Sequence, residues 1–427
     1  MSGRISIFYG AVVNPQTLTS YDAHPRCLLA VGPSGNIEWM EGDVASHDLE
    51  STLAKYGCNN EELIELKEGE FLLPGFVDTH TLLDWLANVT FPMEAKFKDT
   101  FINAGTTTAC YYATLHVEAS KALADTVLDY GQRGFIGKCN MNHDCPSYYT
   151  EDSPEDSISN TRAILSYIRS LPAFMAKADP GLLIQTHISE NPSEVAYTNE
   201  LFPEAGSYAG IYDQFGLLRE GTILAHAVHL TPGEVDLIQE RGAGISHCPT
   251  SNFNLRSGIA PVGKFLDKGI KVGLGTDVSG GFSTSILGEI QHASMASKVL
   301  QFTADVAGST NGVVKREGKF ENKQLPIPTL LYLATLGGAS LCKLEKHIGS
   351  FAPGKSFDAL IVSPSGKRIG LWGSGEKVEP EESVEGVQRK DLEEWLERFL
   401  FCGDDRNIDR VYVQGRWIGG RSFAGRT

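Results

Sequence analysis

The sequence predicts an α/β fold: a TIM-type (βα)8-like barrel lacking one strand, carried by a small β-sandwich built from both chain termini. Three observations lead there. Short β-type runs broken by Gly, Pro and Asn open the chain, and similar text returns near its end. From Phe71 onward, apolar strands alternate with amphipathic helical patterns, which marks βα units and a parallel sheet. Candidate chemistry falls at the C-terminal ends of those strands, the rim where such barrels place their sites. The expected boundaries are 1–70 with 346–427 for the β-sandwich and 71–345 for the barrel.

Taken in order, the β part should hold strands at 5–13, 27–31 and 36–40, with turn-and-strand text in HIGSFAPGKSFDALIV and DDRNIDRVYVQGRWIGG at the other end. Barrel strands are expected at 75–79, 106–113, 134–140, 182–186, 222–225, 243–247 and 271–275, one fewer than a closed barrel needs. Helical periodicity covers 119–130, 154–170 and 328–343, and the charged stretch 377–400 suits a solvated helix. Thr231 followed by Glu234 reads as a capping box opening a helix through Arg241. Between 142 and 181 there is helical text but no strand, so two sheet edges must bend together or be covered.

A 427-residue chain with 41% hydrophobic and 21% charged residues is ordinary for a soluble protein large enough for this arrangement. A net charge of −16 argues against a nucleic-acid surface. MSGRISIFYGAVV has no leader pattern, and no apolar run reaches the roughly 18 residues of a membrane span. The eight cysteines are scattered without a C-x-x-C pair, which fits reduced thiols and a cytoplasmic protein.

Four strand ends carry the residue types of metal-assisted hydrolysis: His80, His187 with Glu190 in LIQTHISEN, His226 in TILAHAVH, and Asp277 in VGLGTDVSGG. Imidazole and carboxylate ligate zinc or iron, an open position activates water, and a nearby glutamate shuttles protons. Each residue alone has a plainer explanation. A strand-end histidine is commonly a structural hydrogen-bonder, Asp277 could cap the next helix, and Glu190 could be a surface carboxylate. Four such residues in the order one site requires outweigh those explanations taken singly. GLGTDV imitates a dinucleotide loop, but Val278 stands where a third glycine belongs. His116-Val117-Glu118 imitates H-x-E but lacks a P-C-x-x-C partner. His229 and His247 read as supporting or surface residues, and Gly280-Gly281 as a tight turn beneath a ligand.

PGFVDTH, GTTTACYYAT, QTHISEN, ILAHAVHL, SHCPTSN, GLGTDVSGG, LATLGGAS and GDDRNIDRVYVQG together resemble the amidohydrolase superfamily, and within it the guanine deaminase branch. That resemblance implies hydrolytic deamination of guanine to xanthine and ammonia, one zinc per chain, and a homodimer with a small purine as its partner. It implies that His80, His187 and Asp277 hold the metal and that Asp277 takes a proton from the attacking water. Glu190 would protonate the purine ring and His226 would orient the attacking group. His187, Ile188, Ser189, Glu190 and Asp277 would line the base pocket.

The departures are as specific as the matches. The family pattern has H-x-H where this chain has His80 and Leu82, two residues that share one side of a strand. The base-reading glutamine of the following loop has no counterpart in TLLDWLANVTFP, and FKDTFINAG leaves little room for the helix before GTTTAC. The fourth barrel strand and its base-reading arginine have none in 142–181. Three losses between intact stretches resemble internal deletions, and they predict a chain with little deaminase turnover. The rival expectations are a non-catalytic homologue kept for binding or assembly, and another aminohydrolase of the same branch.

Overall fold

The computed structural model describes residues 5–59, 63–82, 98–171, 182–308, 318–321, 323–363 and 387–424. Strands β1 (Ser6–Thr17) and β2 (Ser20–Val31) form a long antiparallel hairpin, with β3 (Ile37–Gly42) on the outer side of β2. Both hairpin strands run past their expected ends. Asn14-Pro15 reads as a break, yet the ladder absorbs the proline beside a register shift between Pro15 and Thr17. Strands β4 (Leu63–Glu65) and β5 (Phe71–Pro74) then return parallel to β1.

Seven parallel strands follow: β6 (Phe76–Leu82), β7 (Thr106–Ala113), β8 (Arg133–Lys138), β9 (Ile184–Ile188), β10 (Thr222–His226), β11 (Gly244–His247) and β12 (Val272–Leu274). They form two sheets, β6-β7-β8 and β12-β11-β10-β9. The sheets abut at β12 and β6, where Thr79 Oγ1 donates to the Leu274 carbonyl (2.8 Å) and the Asp277 N–H to the His80 carbonyl (2.9 Å). All of β10 is buried, as expected for a strand covered on both faces, whereas β8 and β9 are mostly half-exposed. No ladder joins β8 to β9 among the described residues. The stretch 142–171 contains no strand, and 172–181 lie outside the described residues.

Helix Pro154–Ser170 lies beside that junction, opened by Ser153, whose hydroxyl accepts from the Asp156 N–H (3.1 Å), with Pro154 in the first turn. It packs on helix Val117–Tyr130, where Tyr167 donates to the Asp125 carboxylate (2.8 Å). A buried ion pair fixes its approach to β8: Lys138 Nζ reaches both carboxylate oxygens of Glu151 at 2.7 Å. The Thr231–Glu234 capping box opens helix Pro232–Arg241 as expected. The helix expected at 328–343 is interrupted: Ile327–Tyr332 and Gly338–Leu341 flank a wider turn at Leu333–Gly337.

Strand β13 (Ala359–Val362), then β14 (Ile408–Val413) and β15 (Arg416–Gly419), extend the first sheet to the order β15-β14-β13-β5-β1-β2-β3, with β4 on β1. The two ends of the chain therefore share one hydrogen-bonded sheet of eight strands. Helix Arg389–Cys402 buries Leu392, Leu396, Phe399 and Leu400, so its expected solvated character holds for one face only. Its upstream part, 377–386, lies outside the described residues. Among the described residues, no helix is long and apolar enough to cross a membrane.

The Lys138–Glu151 pair gives a direct test of how the junction is held. Removing one member of a buried pair strands the other charge, at a cost of about 3–5 kcal/mol. Lys138→Met should lower unfolding free energy by about that amount in urea titration, and Lys138→Met combined with Glu151→Met should recover most of it. A single-variant loss under about 1 kcal/mol would show that water reaches the pair.

Candidate active site

His80 lies near the end of β6, within a register shift between Asp78 and Thr81 that re-aims the strand. His187 is on β9, His226 ends β10, and Asp277 follows β12. Each offers one ligand atom, and the four atoms lie within 4.8 Å of one another. His80 Nε2 is 3.1 Å from His187 Nε2 and 3.2 Å from Asp277 Oδ1, and His226 Nε2 is 3.7 Å from Asp277 Oδ2. Asp277 Oδ1 is buried, and despite the closeness of His80 its geometry makes no hydrogen bond. Buried oxygen and nitrogen atoms converging this closely suit a cation.

Electrostatics agree. Burial, with the His80 and His226 rings adding to it, pulls the His187 pKa down to about 3, so its imidazole is neutral and can offer a lone pair. Burial works against the charge on Asp277, but the closeness of the His80 and His226 rings outweighs it and holds the pKa at about 2. Two imidazoles and a carboxylate on three elements, with a third imidazole beside them, form a donor set that suits zinc. Tyr112 screens the cluster, its ring 5.9 Å from His80 and 5.4 Å from His187.

Glu190 stands at the rim, with Oε2 3.8 Å from His226 Nε2, and Ser257 Oγ donates to its Oε1 (3.0 Å). His229 is tied to the Ser257 carbonyl (2.7 Å), so it supports Glu190 through Ser257. Ile188 and Ser189 are fully buried, and their carbonyls accept from the N–H groups of 227–229, lashing β9 to the turn after β10. Ser189, His226, Ala227 and Asp277 all have positive φ, so the backbone is strained where the site is assembled.

Asp277 caps no helix, since the next one spans Ile286–Gly308. The glycine pair makes the expected tight turn, with the Gly281 N–H donating to the Asp277 carbonyl (2.6 Å). His116 precedes helix Val117–Tyr130 as its cap residue, and His247 is buried rather than at the surface. Sequence reasoning passed over Asn252, whose Oδ1 is 2.9 Å from His226 Nδ1. It also passed over Glu289, which accepts from the Thr250 N–H and hydroxyl and anchors helix Pro249–Asn254. SHCPTSN contained both Thr250 and Asn252, but hydroxyl and amide residues in a helix-opening stretch look like ordinary caps. The glutamine-bearing loop of the resemblance would fall at 83–97, outside the described residues. Arg162 and Arg169, the arginines of 142–181, are exposed on helix Pro154–Ser170.

Parallel β/α units with a buried histidine–aspartate cluster at their strand ends define a barrel-type metal hydrolase, and residues 71–418 match the Amidohydrolase family profile. Guanine deaminase of Dictyostelium discoideum is 34% identical, over 97% of this chain and 98% of its own length. Guanine deaminase of Homo sapiens is 34% identical, over 96% of each chain. Among solved structures, guanine deaminase from C. acetobutylicum with bound guanine superposes with a TM-score of 0.75 at 27% identity, covering 97% of this chain and 100% of that one. The chain belongs to the amidohydrolase family, and within it to the guanine deaminases. The Dictyostelium alignment runs over 470 positions, more than this chain's 427 residues, so part of it is gaps in this chain.

A side chain at Gly280 would place its Cβ 2.7 Å from both Asp277 Oδ2 and Ser251 Oγ. Gly280→Ala should therefore displace the Asp277 carboxylate and lower the metal retained after desalting at least tenfold, with far-UV circular dichroism unchanged. Equal metal content by elemental analysis would show that the turn yields instead.

Proposed function

We propose that this chain hydrolyses guanine to xanthine and ammonia, with zinc held by His80, His187 and Asp277 of the four-residue cluster and His226 beside it. The observation that carries the reading is that cluster, with Glu190 beside it, in a chain aligned nearly end to end with guanine deaminases. When bound, zinc supplies a Lewis acid that makes water reactive at neutral pH.

The protein's own groups cover the remaining steps. Asp277, ionised at neutral pH, accepts a proton from the attacking water. Glu190, oriented by Ser257, delivers a proton to the purine ring as the bond to the departing amine weakens. His226 faces both carboxylates. His187 and the buried Ile188–Ser189 turn form the wall on which the base would lie.

The same reading extends to the rest of the protein. The architecture is a barrel one strand short at 71–345, on a β-sandwich formed by 1–70 and 346–427. The shared eight-stranded sheet and the lack of a ladder between β8 and β9 among the described residues support it. Eight free cysteines, with Cys110 and Cys342 sulfurs 3.4 Å apart and unbonded, support a cytoplasmic setting. Exposed Met295, Val299 and Phe302, spaced along one side of helix Ile286–Gly308, support a homodimer.

Turnover should be low. A charge-assisted hydrogen bond to substrate is worth about 1.5–3 kcal/mol. Without the base-reading glutamine and arginine, kcat/KM should fall about 10²–10⁴-fold. The test compares this chain with one carrying the three missing segments grafted from the Dictyostelium relative, following xanthine formation by absorbance. The grafted chain should be faster by that factor, and Glu190→Gln within it should abolish turnover while zinc stays bound. Rates within tenfold of each other would show that recognition survives the gaps.

A further inference from the structure

We infer that His226 is itself a metal ligand in this chain, presented by Asn252, and that this recruitment withdraws it from the chemistry. The inference rests on the zinc-site reading above and changes the role of one residue in it.

Position 82 is leucine, so β6 contributes His80 alone. His80, His187 and Asp277 supply three donors, and His226 completes the four mutually close ligand atoms. Its ring is oriented for that purpose. Asn252 Oδ1 can only accept, so the 2.9 Å contact puts the proton on His226 Nδ1 and leaves Nε2 as a lone pair. That nitrogen belongs to a residue 1% exposed, and its nearest carboxylate oxygens, at 3.7 and 3.8 Å, lie beyond hydrogen-bond reach. Nε2 makes no hydrogen bond among the described residues, and a cation would satisfy its lone pair.

Spacing points the same way. Zinc bonds of about 2.0–2.1 Å set tetrahedral corners roughly 3.3–3.4 Å apart. The 3.1 and 3.2 Å separations of His80 Nε2 from His187 Nε2 and Asp277 Oδ1 lie close to that value. His226 Nε2, 3.7 Å from the other Asp277 oxygen in a set that spans up to 4.8 Å, would move inward when the ion binds. Asn252 is held in turn: its helix Pro249–Asn254 is anchored through Thr250 to Glu289, which is fully buried. The H-x-H pattern with His187 and Asp277 would supply four protein donors, and recruiting His226 restores that number. A chain lacking an imidazole at 82 thus keeps its metal, while the ring that would orient the attacking group is taken up in holding it.

The test reads metal, not activity. Full-length protein stripped with chelator is titrated with Co(II) and with Zn(II), and the visible Co(II) spectrum is recorded for each variant. In the natural chain, His226→Ala should weaken Co(II) more than about 100-fold, beyond the 10–100-fold typical of a residue that merely orients a ligand. It should also change the spectrum. Asn252→Asp, which keeps the acceptor, should retain the natural spectrum, and Asn252→Leu should not. In a Leu82→His background, His226→Ala should cost less than about tenfold, because β6 then supplies the fourth donor. Thermal unfolding of each stripped variant separates ligand loss from misfolding. An unchanged affinity and spectrum for His226→Ala in the natural chain overturns the inference, as does failure of the natural chain to bind one equivalent of metal. A chain that binds metal through His226 but never yields xanthine upholds it and defeats only the guanine reading.

Discussion

Everything at this site hangs on a buried carboxylate that takes no part in the metal cluster. Asp78 Oδ1 accepts from the His80 N–H (3.2 Å) and the Thr276 N–H (3.1 Å), and Oδ2 from the Thr276 hydroxyl (2.6 Å). One side chain thereby fastens the end of β6 to the segment after β12, almost two hundred residues further along the chain. Those two segments carry His80 and Asp277. Full burial pushes the Asp78 pKa up to about 7 despite its donors, so the brace sits close to neutrality on the protonation scale. Thr79 adds a second tie, with its hydroxyl on the Leu274 carbonyl and on Ser246 of β11. Gln185 of β9 adds a third, reaching across to the Thr79 carbonyl (2.8 Å). These ties set the relative heights of the ends of β6, β9, β11 and β12.

Those ties explain what could be read from the sequence and what could not. Strand and helix positions were legible because they follow from local periodicity, and each barrel strand lies within a few residues of its expected place. His80, His187, His226 and Asp277 were legible because their types are rare at strand ends and recur in one order. Asn252, Ser257 and Tyr112 were not, since serine, asparagine and tyrosine are common in turns and strands for ordinary reasons. Their importance comes from which residue they touch, and Asn252 touches a histidine on a different strand. The hairpin lengths were also missed, because proline beside a bulge breaks the text without breaking the ladder.

Strain is distributed consistently with this picture. Positive φ at Ser189, His226, Ala227 and Asp277 is uncommon for residues with side chains, and persists only where surrounding contacts over-determine it. Here those contacts are visible. The carbonyls of Ile188 and Ser189 hold the three N–H groups after His226, and the Gly281 N–H holds the Asp277 carbonyl. Each strained residue is pinned by a backbone hydrogen bond to the next strand end or to its own turn. The side chains therefore point inward by construction, not by the presence of a ligand.

The open junction between β8 and β9 among the described residues bears on which half of the proposed activity would be weakened. Around the sheets, the cluster is drawn from β9, β10, the end of β12 and β6, and these are joined edge to edge through β11 and the β12–β6 contact. The unpaired junction lies at the other end of that arc, between β8 and β9. A loss there removes a wall of the pocket while leaving intact the ladder that spaces His187, His226 and Asp277. Helix Pro154–Ser170 and the Lys138–Glu151 pair keep β8 covered on that side without supplying a strand or an inward arginine. Metal binding depends on a few short, braced distances that survive in this arc. Reading a base depends on side chains spread around the whole rim, so an incomplete rim gives up recognition first and metal last.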